Sequence, residues 1–404
     1  VESDQREEAK VDFTTVPFTE AGQMLTVEAA RERLAATEPF DSTTFWTGEP
    51  VEVTYGKGWA DGELTAPAPV WLTVPDGTVY QLTRQAATQI GSTCRVNQKY
   101  QEWLPPGMLA VNVNWALGEG LHKKNGDGHE LKLILAGTGR NADDTGDIPL
   151  AVAQTRATVE PFSNVELLNA VLAAIRAKLG NEAADGALVD YKFYHDLEHT
   201  SFRVVVPAAQ QVITGTGTED DAWCFGIEVR NSLIGLKQTV VSGYLFRFAT
   251  LAGLTDVEHG AGGFNRRGST PQACYNWAGE SAEEILDGIG GAFAGLRVLP
   301  DNIVDGEYGS VMEQYFRLSP VSRDLQLRIV TDLEECPVGQ VSMYDLAAVS
   351  AEAANLDGST WRDVRTVHDL AGFIVHQGGG MCDGTIENGC RRLLPEDWEA
   401  PEAS

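Results

Sequence analysis

Residues 223–254 read WCFGIEVRNSLIGLKQTVVSGYLFRFATLAGL. Residues 224–229 alternate in the way a strand with two different faces does, and Tyr244 to Phe248 form an aromatic run that favours extended chain. Between them lies Asn231-Ser232-Leu233-Ile234-Gly235. Asn and Gly suit a connection because both tolerate positive φ and Asn bonds its own backbone locally. The stretch therefore predicts two neighbouring strands over 222–229 and 239–248, joined through Asn231 to Gly235. A helix across 240–250 would contradict the period.

Working outward, residues 51–56 and 70–74 predict strands, with Pro75-Asp76-Gly77 as a turn. Thr83 is a candidate cap for a helix carrying Ala86, Ala87 and Ile90. Residues 131–136 predict a strand. Ser163 and Glu166 have capping-box spacing ahead of Val165, Leu168, Val171, Leu172, Ile175 and Leu179, and Gly180 ends that helix. Residues 189–206 predict a strand pair around a turn. Ser281 with Glu284, Ser342 with Asp345 and Thr360 with Asp363 predict three helix starts, and Gly378-Gly379-Gly380 ends the last helix. Strands fill the first two thirds and helices the last third. The expected class is α+β, with a mostly antiparallel sheet, helices packed on it and a helix-rich C-terminal third. The expected organisation is a flexible acidic arm over 1–20, one domain over 21–394 and an acidic tail over 395–404.

The 404 residues carry 58 acidic and 30 basic side chains, a net charge of −28. Such a surface repels nucleic acid at long range, so any phosphate site must be a local basic groove. The first residues lack a basic n-region and an apolar h-region, and no apolar run reaches membrane-spanning length, so a cytoplasmic protein is expected. Val1 fits a translated GTG start or a trimmed chain equally. Cys94, Cys224, Cys274, Cys336, Cys382 and Cys390 form no close pair, which favours buried thiols over a disulfide framework.

Three clusters carry candidate chemistry. His195-Asp196-Leu197-Glu198-His199 has the H-x-x-E-H zinc spacing. It lies between strand-like segments, where its imidazoles need not converge, so no metal and no cofactor are expected. His259 to Gly268 is a glycine-rich stretch ending in Arg266 and Arg267. Backbone N–H groups beside two guanidinium groups suit a phosphate, and an exposed surface loop is the plainer alternative. Lys123 and Lys124 sit in an expected hairpin tip. No nucleophile signature is present, and an enzyme is not the favoured class.

The order Gly226, Asn231, Ser232, Gly235, then Arg247 and Gly253, resembles the core signature of a phage- and plasmid-borne family, domain of unknown function 932. The likeness recurs at Ala86, Gln89, Tyr100 and Pro105, at Arg156, Phe162 and Asn164, and in the C-terminal helices. It spans roughly residues 70–375 in patches. Leu233 stands where family members carry an acidic residue, and Thr250 to Gly253 replace a Cys-Thr-Asn-Gly run. The resemblance implies an accessory protein of mobile elements. One expectation is DNA metabolism, with binding or annealing of single strands through Arg247, Arg266, Arg267, Lys123, Lys124 and Tyr244. The alternative is a non-catalytic structural or anti-defence protein acting through protein partners.

Overall fold

The computed structural model describes residues 24–38, 41–46, 51–55, 70–97, 100, 106–118, 130–140, 146–156, 160–190, 200–213, 221–233, 238–247, 250, 252–265, 269–304, 308–317, 319–334, 341–353 and 361–377. These residues build two six-stranded sheets and eleven helices, an α+β protein.

Sheet I runs in the order β1 (Met24–Thr26), β8 (Leu188–Asp190), β9 (Thr200–Val212), β10 (Ala222–Asn231), β11 (Thr239–Arg247), β12 (Ala252–Phe264). Every neighbouring pair in it is antiparallel. The expected pairing is present: Trp223 lies opposite Arg247 and Arg230 opposite Val240, and Thr239–Arg247 is strand rather than helix. Sheet II runs β2 (Asp41–Trp46), β6 (Glu130–Arg140), β7 (Asp147–Arg156), β5 (Val79–Leu82), β4 (Val70–Thr73), β3 (Glu52–Tyr55). Its pair β5–β7 is parallel. The turn between β4 and β5 follows its sequence: Gly77 sits at φ +85 and Asp76 Oδ1 accepts from Thr78 N at 2.8 Å.

Sheet II is covered on one face by α2 (Arg84–Thr93) and α3 (Pro106–Gly118), which join Leu72, Leu82, Leu133 and Ala151 in one apolar cluster. Thr83 caps α2, accepting from Ala86 N, and ties it to β7 by donating to Val152 O at 3.0 Å.

The alternation in sheet I sorts its residues cleanly. Phe202, Val204, Val206, Trp223, Phe225, Ile227, Val229, Val241 and Leu245 enter the main core with α1 (Val27–Thr37), α4 (Asn164–Leu179), α5 (Asn181–Asp185) and α6 (Pro271–Asp287). Their alternates, including Arg203, Glu228 and Tyr244, occupy the opposite face. The remaining helices are α7 (Ile289–Val298), α8 (Tyr308–Arg317), α9 (Arg323–Glu334), α10 (Met343–Glu352) and α11 (Trp361–Gln377). Helix α11 packs along β12, with Gly372 directly against the Thr255 carbonyl.

Leu233 joins the sheets. It is buried among Ile134, Ala136, Leu150, Val152 and Ala153 of sheet II. Leu233 is thus an inter-sheet contact.

Local signals mostly held. Ser163 caps α4, Gly180 ends it at φ +91, and Ser342 with Asp345 forms a full capping box on α10. At Ser163 the carboxylate that joins the cap is Glu38, which accepts from Ser163 Oγ at 2.8 Å and from Val165 N at 3.0 Å. Two expectations need correction. Ser281 does not open a helix; it is buried inside α6, which starts ten residues earlier at Pro271 with Thr270 as its cap. The stretch from His259 to Phe264 is not a loop but the end of β12. Thr360, the 378–380 glycines, the 1–20 arm and the 395–404 tail lie outside the described residues.

Candidate functional site

The opposite face of sheet I concentrates charge where strands are normally apolar. Ser201 and Arg203 on β9, Glu228 and Arg230 on β10, and Asp190 on β8 are brought side by side by the register. The Arg203 guanidinium is fully buried. Its Nε donates to Glu228 Oε1 at 3.2 Å, Nη1 to Asp190 Oδ2 at 3.2 Å and Nη2 to His368 Nδ1 of α11 at 2.8 Å. Its carbon lies 4.6 Å from the Tyr244 ring centroid, a cation–π contact. Burial opposes the charge on Arg203. Tyr244 and the Glu228 and Asp190 carboxylates outweigh it and hold the group above its ordinary pKa. Burial likewise works against the Glu228 carboxylate, but Arg230, Arg203 and the Ser201 hydroxyl pull it below the ordinary range. The cluster is therefore charged, paired and internally satisfied at Arg203, which fits a structural clamp between sheet I and α11.

The glycines of the signature have steric reasons. A Cβ on Gly226 would lie 2.5 Å from Val204 O, and one on Gly253 would run into the Tyr244 hydroxyl. Tyr244 therefore lies where only a hydrogen at Gly253 leaves room.

Asn231 and Ser232 are buried. Asn231 Nδ2 donates to Phe162 O and to Asn164 Oδ1, both at 2.7 Å, while Asn231 Oδ1 accepts from Thr239 Oγ1 at 3.0 Å. Asn164 in turn donates to Thr200 Oγ1 at 3.2 Å. Two patches far apart in sequence, Phe162 with Asn164 and Asn231, thus meet in one buried amide network.

Arg247 binds Asp221 through two bonds, at 2.7 and 2.9 Å, and Glu352 of α10 at 2.5 Å. Tyr344 donates to the same Asp221 and accepts from Trp223 Nε1 at 2.8 Å. Tyr244 is buried. Arg247 is therefore paired within the fold, and the buried Tyr244 ring is no stacking platform, which corrects its expected place in a nucleic-acid groove. Gly235, Lys123, Lys124, Arg266, Arg267, His195, Glu198 and His199 lie outside the described residues. Among the described residues, no three His, Cys, Asp or Glu side chains converge as metal ligands, and no helix is long and apolar enough to cross a membrane. Cys94, Cys224 and Cys274 are buried thiols outside any disulfide. Burial pushes Cys94 and Cys224 up to about 12, away from the reactive thiolate.

One surface feature stands apart. Helix α3 carries no charged residue. Its inner face, Ala110, Val113 and Ala116, is buried in the sheet II core, and Asn114 fixes its rotation by exchanging two bonds with the Val53 backbone at 2.7 and 2.6 Å. Its outer face bears Met108, Val111 and Trp115, exposed by 53%, 62% and 60%.

Sequence reasoning missed Arg203, Glu228, Asp190, Asp221, His368 and the α3 stripe. The signal for the first two was present: Arg203 in SFRVVV and Glu228 in FGIEVR are charges within apolar strands. No family model, curated protein or solved structure matches the chain.

Proposed function

We propose that this protein is a non-catalytic accessory protein that works through protein contacts, in keeping with its likeness to the phage- and plasmid-borne domain of unknown function 932. The observation that carries this reading is the outer face of α3, where three large apolar side chains stand in a row on an uncharged helix. Exposed apolar rows of this kind mark interaction surfaces. The buried charges support it from the other side, because Arg203 and Arg247 are engaged with carboxylates rather than with solvent.

The single-stranded DNA reading retains Lys123, Lys124, Arg266 and Arg267. It loses the stacking ring and the signature arginine. On a chain with net charge −28, four cations predict weak binding with a shallow salt slope. Fluorescence anisotropy with a labelled oligonucleotide at low salt tests the choice. The protein-contact reading expects no binding at micromolar protein. Salt-sensitive binding that disappears in an Arg266→Ala, Arg267→Ala double variant would reverse the order of the two readings.

A further inference from the structure

We propose that the outer face of α3 pairs with the same face of a second copy of this chain, across a twofold axis that passes beside Val111. This rests on the protein-contact reading and names its partner.

Charge is the first reason. Two bodies of net charge −28 repel each other, and they can approach closely only where neither presents an acidic group. Helix α3 offers such a place over all thirteen of its residues.

Geometry is the second reason. A helix with apolar residues on two opposite sides belongs between two surfaces. One surface is the sheet II core, reached by Ala110, Val113 and Ala116. The other is met by Met108, Val111 and Trp115, spaced three and four residues apart along one side. At about 1.5 Å per residue, Met108 and Trp115 stand roughly 10 Å apart with Val111 between them. An antiparallel second α3 then sets Met108 of each copy over Trp115 of the other, a sulfur–aromatic contact, while the two Val111 side chains flank the axis. The large side chains fall opposite one another and the small one falls at the centre, so the stripe is complementary to itself. Asn112 does not obstruct this, because its amide donates to Met108 O of its own helix at 2.8 Å.

Three side chains cover less than the roughly 800 Å² per partner of a standard interface, so the dimer belongs to the weak, concentration-dependent class. Salt gives it a signature opposite to DNA binding. Screening over about 8 Å at physiological ionic strength weakens the acidic repulsion, so association strengthens with salt.

Sedimentation equilibrium on the full chain is the test, over about 1 to 100 µM protein at low and high salt. The expected result is a monomer–dimer equilibrium that shifts toward dimer as protein and salt increase. Val111→Glu and Trp115→Ser should each weaken association at least about tenfold, and Leu327→Ser, at another exposed apolar position on α9, should leave it unchanged. Far-UV circular dichroism on each variant verifies folding, and two independent sites guard against one failing to fold. A monomer at the highest concentration overturns the inference, and so does a dimer that both variants leave intact. Neither outcome depends on the oligonucleotide titration, so failure of the dimer and failure of the protein-contact reading remain separate.

Discussion

Asn231 ties segments far apart in sequence into one buried network, and its role follows from its bonds. Removing its amide deletes three buried bonds, to Phe162 O, Asn164 Oδ1 and Thr239 Oγ1. Each such bond contributes about 0.5–1.5 kcal/mol. Asn231→Ala should therefore lower stability by about 3 kcal/mol in urea unfolding, and a change below 1 kcal/mol would show that the network rearranges. Glu228 gives a pH prediction. The unfolded chain binds this proton near 4.5, whereas Arg230, Arg203 and Ser201 hold the folded group lower. Its contribution is thus complete above that value and is lost as pH falls through the depressed folded pKa. Glu228→Gln should be less stable at neutral pH and should show a shallower loss between about pH 5 and 3. Urea midpoints across that range decide it; parallel curves for the two proteins would assign the acid sensitivity elsewhere. Arg203 and Glu228 escaped the sequence reading for a physical reason. A charge in an apolar strand is recognisable, but its partners lie across the sheet at separations of 25 residues to Glu228 and 165 to His368.

At the scale of elements, what was legible depended on how local the signal was. Caps act within three residues, so Ser163, Ser342, Thr83 and Gly180 could be read directly. Ser281 misled because its spacing to Glu284 is the same inside a helix as at its start. Thr270-Pro271, a cap followed by proline in the first turn, is the stronger signal and sits ten residues earlier. The end of β12 was hidden by its glycines, which read as loop until β11 supplies hydrogen-bond partners at Ala261 and Phe264. Two substitutions test the elements. Ser342→Ala removes the hydroxyl half of the α10 capping box, leaving the bond from its backbone N–H to Asp345, and should cost about 1 kcal/mol. Gly372→Ala places a methyl against the Thr255 carbonyl and should force α11 away from β12. Amide exchange should then rise along α11 and in the β11–β12 pairing; unchanged protection would mean that the helix slides without loss.

The whole molecule divides its apolar core between two sheets, with Leu233 as a shared contact. The order of strand and helix signals predicted the α+β class but did not reveal that β2 to β7 build a separate sheet, since nothing in strand propensity tells which strands will share one. Leu233→Ala should cost about 3 kcal/mol as a buried large-to-small change. It should also split the calorimetric transition in two as sheet II loses its anchor. One transition, merely shifted, would show that other contacts couple the sheets.

The pairing of β1 with β8 sets an order of events during synthesis. Thr26 finds its partner at Leu188, after the whole of sheet II has been made. At about 5–20 residues per second, roughly 160 residues keep the first strand waiting for some 8–30 s on the ribosome. Sheet II, complete in sequence by Arg156, has time to form first, as an excursion whose two ends are gathered only when β8 emerges. Throughout that interval the segment Met24 to Leu34, which buries Val27, Ala30 and Leu34 in the finished fold, stands without its strand partner. Handling of this segment during synthesis is therefore a demand on the chain separate from the stability of the finished fold.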